Sequence, residues 1–319
     1  MLGMLAGFDL TLAQPARKIA RIGVFTTAST TIAAGPQPES LPVKALLRGL
    51  GDLGYVYGQH YVTEARGADG KPDRYPVLAA ELAALGVDVI VSSGPALAGL
   101  KAATTTVPIV MSAAIDPVAD GLVQSLSHPG TNFTGLSHQF PETAGKCLEL
   151  LKEVAPGAAP VAVLWDRGSR STWEAVQVAA RSRGWKLQSL EIKDASEIAP
   201  ACKSAADARS GGLLVLTGLI SFPNRQRISE LAVQNRLPAM FDMRPYVDSG
   251  GLVSYGADLV DIWRDAARFV DKILKGAKPA DLPIEQPTRF ELVINLKTAK
   301  ALGITIPQTV LLRANDVIR

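Results

Sequence analysis

Several short apolar runs in this sequence end in hydroxyls or carboxylates. ARIGVF (20–25) runs into Thr26, VDVIVSS (87–93) ends in Ser92 and Ser93, and VPIVMS (107–112) ends in Ser112. In the second half PVAVLW (160–165) runs into Asp166 and Ser169, GGLLVLT (211–217) ends in Thr217, and LPAMF (237–241) runs into Asp242. Grouped in space, such residues bind the polar ends of a small molecule. Hydroxyls and loop N–H groups hold a carboxylate at a helix N-terminus, and an aspartate balances an ammonium. For Ser92 and Ser93 an ordinary helix cap has the same geometry as a carboxylate site. Asp116, next to Pro117, reads as a cap ahead of a ligand contact. Asp166 and Asp242 lack so obvious a local use, although turn formation would serve either. Phe25, Trp165, Phe222, Phe241 and Tyr255 stand near the same ends. Those not absorbed into a core would cover a flat apolar ligand.

Catalytic and nucleotide-binding patterns are missing. GPALAGLK (94–101) approaches a phosphate loop, but Leu100 separates the second glycine from Lys101, and Ala102 follows. No GxGxxG opens a helix, no GxSxG forms a nucleophile elbow, and no HExxH occurs. His60 falls in a turn-like segment, and His128 and His138 fall near a crossing between halves. Cys147 and Cys202 are the two cysteines, without a CxxC, which argues against structural zinc. They are either one disulfide or two buried thiols. The expectation is a binding protein and not an enzyme, with no cofactor and no metal.

The chain has 319 residues, enough for two lobes, with 47% hydrophobic and 20% charged residues, as in ordinary globular proteins. Its net charge of +3 is interspersed, without the basic stripe that nucleic acid would require. The expected partner is therefore a small molecule, and with no stretch of eighteen apolar residues no membrane-spanning helix is expected. Met1 to Ala13, MLGMLAGFDLTLA, is apolar and ends in Thr11-Leu12-Ala13 before QPARK. It reads as the remnant of an export signal, or else as an N-terminal arm.

Strand and helix patterns alternate throughout, predicting an α/β fold of two doubly wound parallel-sheet lobes. Val43, Leu46, Leu47, Leu50 and Leu53 recur at helical spacing and Gly54 stops them. YVTEAR (61–66), NFTGLS (132–137), KLQSLEI (186–192), GGLVSY (250–255) and RFELVINL (289–296) read as further strands. YGADLVDIWRDAARFVDKILKG (255–276) reads as one helix. The halves echo each other: IGVFTTAS and VAVLWDRGS, VDVIVSSGPA and GLLVLTGLI, VPIVMSAAIDP and LPAMFDMRPYV. Ligands of open parallel sheets bind beyond the carboxyl ends of the strands. Two facing sheets would therefore oppose Thr26, Ser92, Ser93, Ser112 and Asp116 to Asp166, Ser169, Thr217 and Asp242 across a cleft.

PIVMSAAIDPVADGLVQSLSHPGTNFTGLS, LPAMFDMRPYVDSGGLVSYGADL and FVDKILKGAKPADLPIEQPTRFELVINLKTAKALGITIP carry a resemblance. From Lys18 onward the sequence resembles the substrate-binding proteins of ABC transporters, in the family that includes tryptophan and tyrosine binders. The resemblance implies a type I periplasmic binding fold with three crossovers, hinge closure on a ligand, export to the periplasm as a monomer, and delivery to an ABC permease with its ATPase. It implies lobe 1 from 18–137 and 256–286, lobe 2 from 138–255 and 287–319, and a leader or arm over 1–17. It also implies Ser92, Ser93, Ser112 and Thr134 as ligand contacts on the first lobe, with Asp166, Ser169, Thr217 and Asp242 on the second, besides Thr26 and Tyr255 from position. The expected ligand is an aromatic or branched amino acid or an aromatic carboxylate. The sequence departs from tryptophan binders at LTG (216–218), where an acidic residue is expected soon after the threonine, and at Asp242, where many relatives have glycine. A ligand-sensing module of a signalling system would use the same fold.

Overall fold

The computed structural model describes residues 18–138, 140–157 and 160–319. The apolar N-terminal segment read as a signal remnant lies outside the described residues.

Two sheets account for the strand patterns. The first contains β1 (Ala20–Thr26), β2 (Tyr61–Gly67), β3 (Val89–Ser93), β4 (Ile109–Ala114) and β5 (Phe133–Ser137), all parallel, in the order β2-β1-β3-β4-β5. The second contains β6 (Val161–Trp165), β7 (Leu187–Glu191), β8 (Gly212–Val215), β9 (Ala239–Phe241), β10 (Val253–Ala257), β11 (Phe290–Asn295) and β12 (Asp316–Ile318). Its order is β7-β6-β8-β9-β10-β11-β12. The first five strands of each half are wound identically, so the sequence echoes fall on equivalent strands: β1 with β6, β3 with β8, and β4 with β9. Their central strands are continuous apolar runs because helices cover both faces. β11 adds to β10 antiparallel, the one exception to parallel pairing among the described strands.

The chain passes between the sheets three times. After β5 it enters the helix Phe140–Val154, whose Cys147, Leu148 and Leu151 pack with Val161 and Val163 of the second sheet. After β10 it returns to the first sheet through the helix Leu259–Leu274. There Ile262, Trp263, Ala266, Phe269 and Val270 join Ile22, Val24 and Leu46 in one core. The sequence pattern puts this helix at 255, whereas Tyr255–Ala257 finish β10. Asp258 accepts from Val260 N at 2.8 Å and so sets the start, an N-cap worth about 1 kcal/mol. The third passage runs beside the first: Glu285 N donates to Gly135 O at 2.9 Å and Ser137 N to Glu285 O at 3.0 Å. Cys147 and Cys202 are free, buried thiols in separate core clusters.

Candidate functional site

A cavity of about 280 Å³ lies between the two sheets. From the first half it takes Thr26–Ala28 after β1, Ser93–Pro95 after β3, and Ala113 and Ile115 around the end of β4. The second half contributes Thr217–Leu219 after β8, Phe222 and Arg225, and Met243 and Pro245 after β9. His138 stands at the first passage, and Leu259 and Trp263 belong to the returning helix. These are the carboxyl ends of parallel strands, where carbonyls stop pairing and loop amides turn outward. The volume falls just below the range of small-molecule pockets, roughly 300–1,000 Å³.

Of the residues singled out from the sequence as polar or aromatic ligand contacts, Thr26, Ser93, Thr217 and Phe222 line this cavity. The others are absent from its lining, and the serines, Thr134 and the aspartates among them spend their side-chain oxygens on the protein. Ser92 Oγ donates to Phe25 O at 3.0 Å, Ser112 Oγ to Ser92 O at 3.1 Å and Thr134 Oγ1 to Leu282 O at 2.8 Å. These buried hydroxyls tie neighbouring strand ends together. Tyr255 is stacked on Phe290, with ring centroids 6.0 Å apart. Asp116 Oδ1 accepts from Ala119 N at 2.9 Å, a local cap.

Asp166 is fully buried under the second-half wall. Its Oδ1 accepts from Gly168 N at 2.8 Å and Leu219 N at 3.1 Å, and its Oδ2 accepts from Ile220 N at 2.9 Å and Ser221 N at 3.1 Å. Ser169 closes the capping box: Asp166 N donates to Ser169 Oγ at 3.1 Å. Four backbone donors satisfy the carboxylate, so it anchors the 218–221 loop. Gly218 permits this approach, because a Cβ there would overlap the Asp166 carboxylate.

Asp242, at the end of β9, is likewise committed to the protein. Thr217 donates to it through its backbone N at 2.8 Å and through its hydroxyl. Burial pushes the Asp242 carboxyl up to about 6, against the lowering effect of the two Thr217 bonds. At the first passage burial pulls His138 down to about 4, so the imidazole facing the cavity is neutral at pH 7.

The two groups link stability to pH with opposite signs. Asp242 is raised, so its native protonated form stabilises fully below pH 3.8, and this contribution is lost as pH rises through 6. His138 is lowered, so its contribution is lost as pH falls from 6.5 through 4. Asp242→Asn imitates the protonated carboxyl and removes only the first linkage. Relative to the unsubstituted protein, the variant is expected to gain up to about 3 kcal/mol between pH 4 and pH 7. Urea unfolding of both proteins across that range checks it. A stability difference independent of pH would show that Asp242 keeps an ordinary carboxyl in the fold.

The site also holds residues that strand-end reasoning passed over, chiefly Arg225, Trp263, Ile115 and Met243. One sequence signal was available for Arg225. It opens the helix Arg225–Gln234, whose first turn carries no acidic residue, and a cation there opposes the helix dipole.

Comparison with known proteins agrees with this architecture. The chain is 27% identical over 265 residues to a tyrosine-binding protein of Clostridioides difficile, covering 82% of this chain and 76% of that protein. A domain from Streptococcus pneumoniae crystallised in complex with L-Trp is 28% identical, with a TM-score of 0.82, over 94% of this chain and 100% of that one. A conserved domain protein from Vibrio cholerae is also 28% identical, with a TM-score of 0.81 over the same shares. Residues 38–318 match the model of the ABC transporter substrate binding proteins, and the chain belongs to that family.

Proposed function

We propose that this substrate-binding protein takes a small organic solute into the cavity between its sheets and presents it, by hinge closure, to a membrane permease driven by an ATPase. The carrying observation is that residues of both halves line one cavity, so a ligand there gains its full contacts only when the halves are together. Such a ligand stabilises the closed population by its differential affinity. The lobes are taken as 18–137 with 256–286, and 138–255 with 287–319. The protein acts as a monomer in the periplasm and performs no chemistry on its ligand. The helices among the described residues are too short or too polar to cross a membrane, which fits this placement.

Relatives that bind tyrosine and L-Trp point to a solute with an aromatic body and a carboxylate. The presence of Phe222 and Trp263 in the cavity lining supports that shape. Thr26, Ser93 and Thr217 are the polar contacts carried forward from strand-end position. Ser92, Ser112, Thr134, Asp166, Ser169, Asp242 and Tyr255 serve by holding the walls. Thermal shift against aromatic amino acids and aromatic carboxylates is the test. At one hundred times its Kd, a ligand of the native state adds about 2.7 kcal/mol, a readily measured rise in melting temperature. No rise with any member of either set would refute the reading.

A further inference from the structure

The charge of the cavity is one-sided. Among its described lining residues Arg225 is the single ionised side chain at pH 7, the others being hydroxyl-bearing, apolar or, like His138, neutral. Its guanidinium lies over the Phe222 ring, 5.2 Å from the centroid, and Nη1 donates to the Phe222 carbonyl at 3.3 Å. Among the described residues no carboxylate pairs with it. As the first residue of its helix it also stands where the dipole disfavours a cation. A guanidinium without a counter-ion, on an aromatic wall inside a cavity, is equipped to take a carboxylate in bidentate fashion.

The opposite requirement, an acceptor for an ammonium, is not met. Asp166 and Asp242 lie behind the second-half wall. The first has both oxygens taken by four backbone N–H groups, and the second holds the amide and hydroxyl of Thr217. An α-ammonium entering the cavity would leave water, approach Arg225 and find hydroxyls and carbonyls in place of an ionised partner. Asp166 and Asp242 thus serve the fold and leave the lining of the cavity without a carboxylate.

We infer that the solute is an apolar aromatic monocarboxylate without an α-ammonium, its carboxylate bound by Arg225 and its ring held between Phe222 and Trp263. This rests on the reading that the cavity receives the transported solute, and it narrows that reading to one of its two ligand classes.

Isothermal titration of the full chain with three probes sharing one ring and chain length provides the test: indole-3-propionate, L-tryptophan and indole-3-propionamide. Indole-3-propionate is expected to bind at least about tenfold more tightly than either of the others, a ratio suited to one charge-assisted bidentate contact. Arg225→Gln should lower affinity for the carboxylate by roughly tenfold or more and leave the amide within about twofold. A structural role for Arg225 would weaken both probes equally and would overturn its assignment. L-tryptophan binding as tightly as indole-3-propionate would overturn the inference and leave the solute-binding reading intact. Silence from all three probes, together with a silent amino-acid and carboxylate library, would overturn both. The comparison among ligands uses the unsubstituted protein and so stands even where the variant folds poorly.

Discussion

Replacing Asp166 by alanine is expected to lower the stability of the second half by about 4 kcal/mol and to weaken ligand binding along with it. The side chain touches nothing in the cavity, yet it fixes the loop that does. Gly168, Leu219, Ile220 and Ser221 all direct backbone N–H groups at its two oxygens, at a fully buried position. Alanine leaves four donors without an acceptor and opens a void that water fills incompletely. Each lost bond to an ionised acceptor is worth roughly 1.5–3 kcal/mol, but relaxation makes the total less than the sum. The loop then frays, and Gly218 and Leu219 withdraw from the cavity wall. Asp166→Asn retains one acceptor oxygen and should fall between the two. Denaturant unfolding supplies the stability difference and titration of a ligand the affinity. An alanine variant as stable as the original would remove the anchoring role assigned to Asp166.

Gly135→Ala is expected to be nearly as damaging, by about 3–5 kcal/mol, through geometry and not charge. Gly135 lies within β5 at φ +124°, a region that L side chains rarely adopt. A Cβ there would also overlap the Met111 carbonyl oxygen of β4. Strain and overlap act together, and the β4–β5 register already shifts between Met111 and Ala114. The consequence reaches the hinge, because Gly135 O accepts from Glu285 N and so couples the first passage between the halves to the third. The variant should melt earlier, and any folded fraction should sample a wider spread of interlobe separations by small-angle scattering. A glycine-like melting temperature in Gly135→Ala would mean that the strand can reposition freely at the crossing.

Most of the winding was legible because it follows from periodicity. Apolar runs of five to seven residues between amphipathic segments fit buried parallel strands, and the echoes between halves fell on strands of equal rank. β12 was not legible, since Asp316–Ile318 is three residues long and only half-buried at the sheet edge. The antiparallel addition of β11 follows from the chain's return from the first half, which no local pattern encodes.

The site was legible as a region and less so as a set of residues. Hydroxyls and aspartates at strand ends mark the rim of a cleft, but position along a strand does not say where a side chain spends its hydrogen bonds. Asp166 and Asp242 look like ligand groups in the sequence. Those of their partners that lie far off in sequence are backbone amides of the loop after β8, Thr217 for Asp242 and Leu219, Ile220 and Ser221 for Asp166, and only assembled strands reveal them. Arg225 presents the reverse case, the first residue of an ordinary polar helix whose role comes from the wall it joins.

By itself the sequence determined two wound α/β halves, their equivalence, and a small-molecule cleft at the carboxyl ends of their strands, because each depends on the local alternation of apolar and polar residues. Tertiary structure alone decided which polar groups remain for a ligand. Hydrogen bonds saturate: an oxygen that accepts from two buried backbone amides has none to offer, and which oxygens are so occupied depends on contacts between segments fifty residues apart or more.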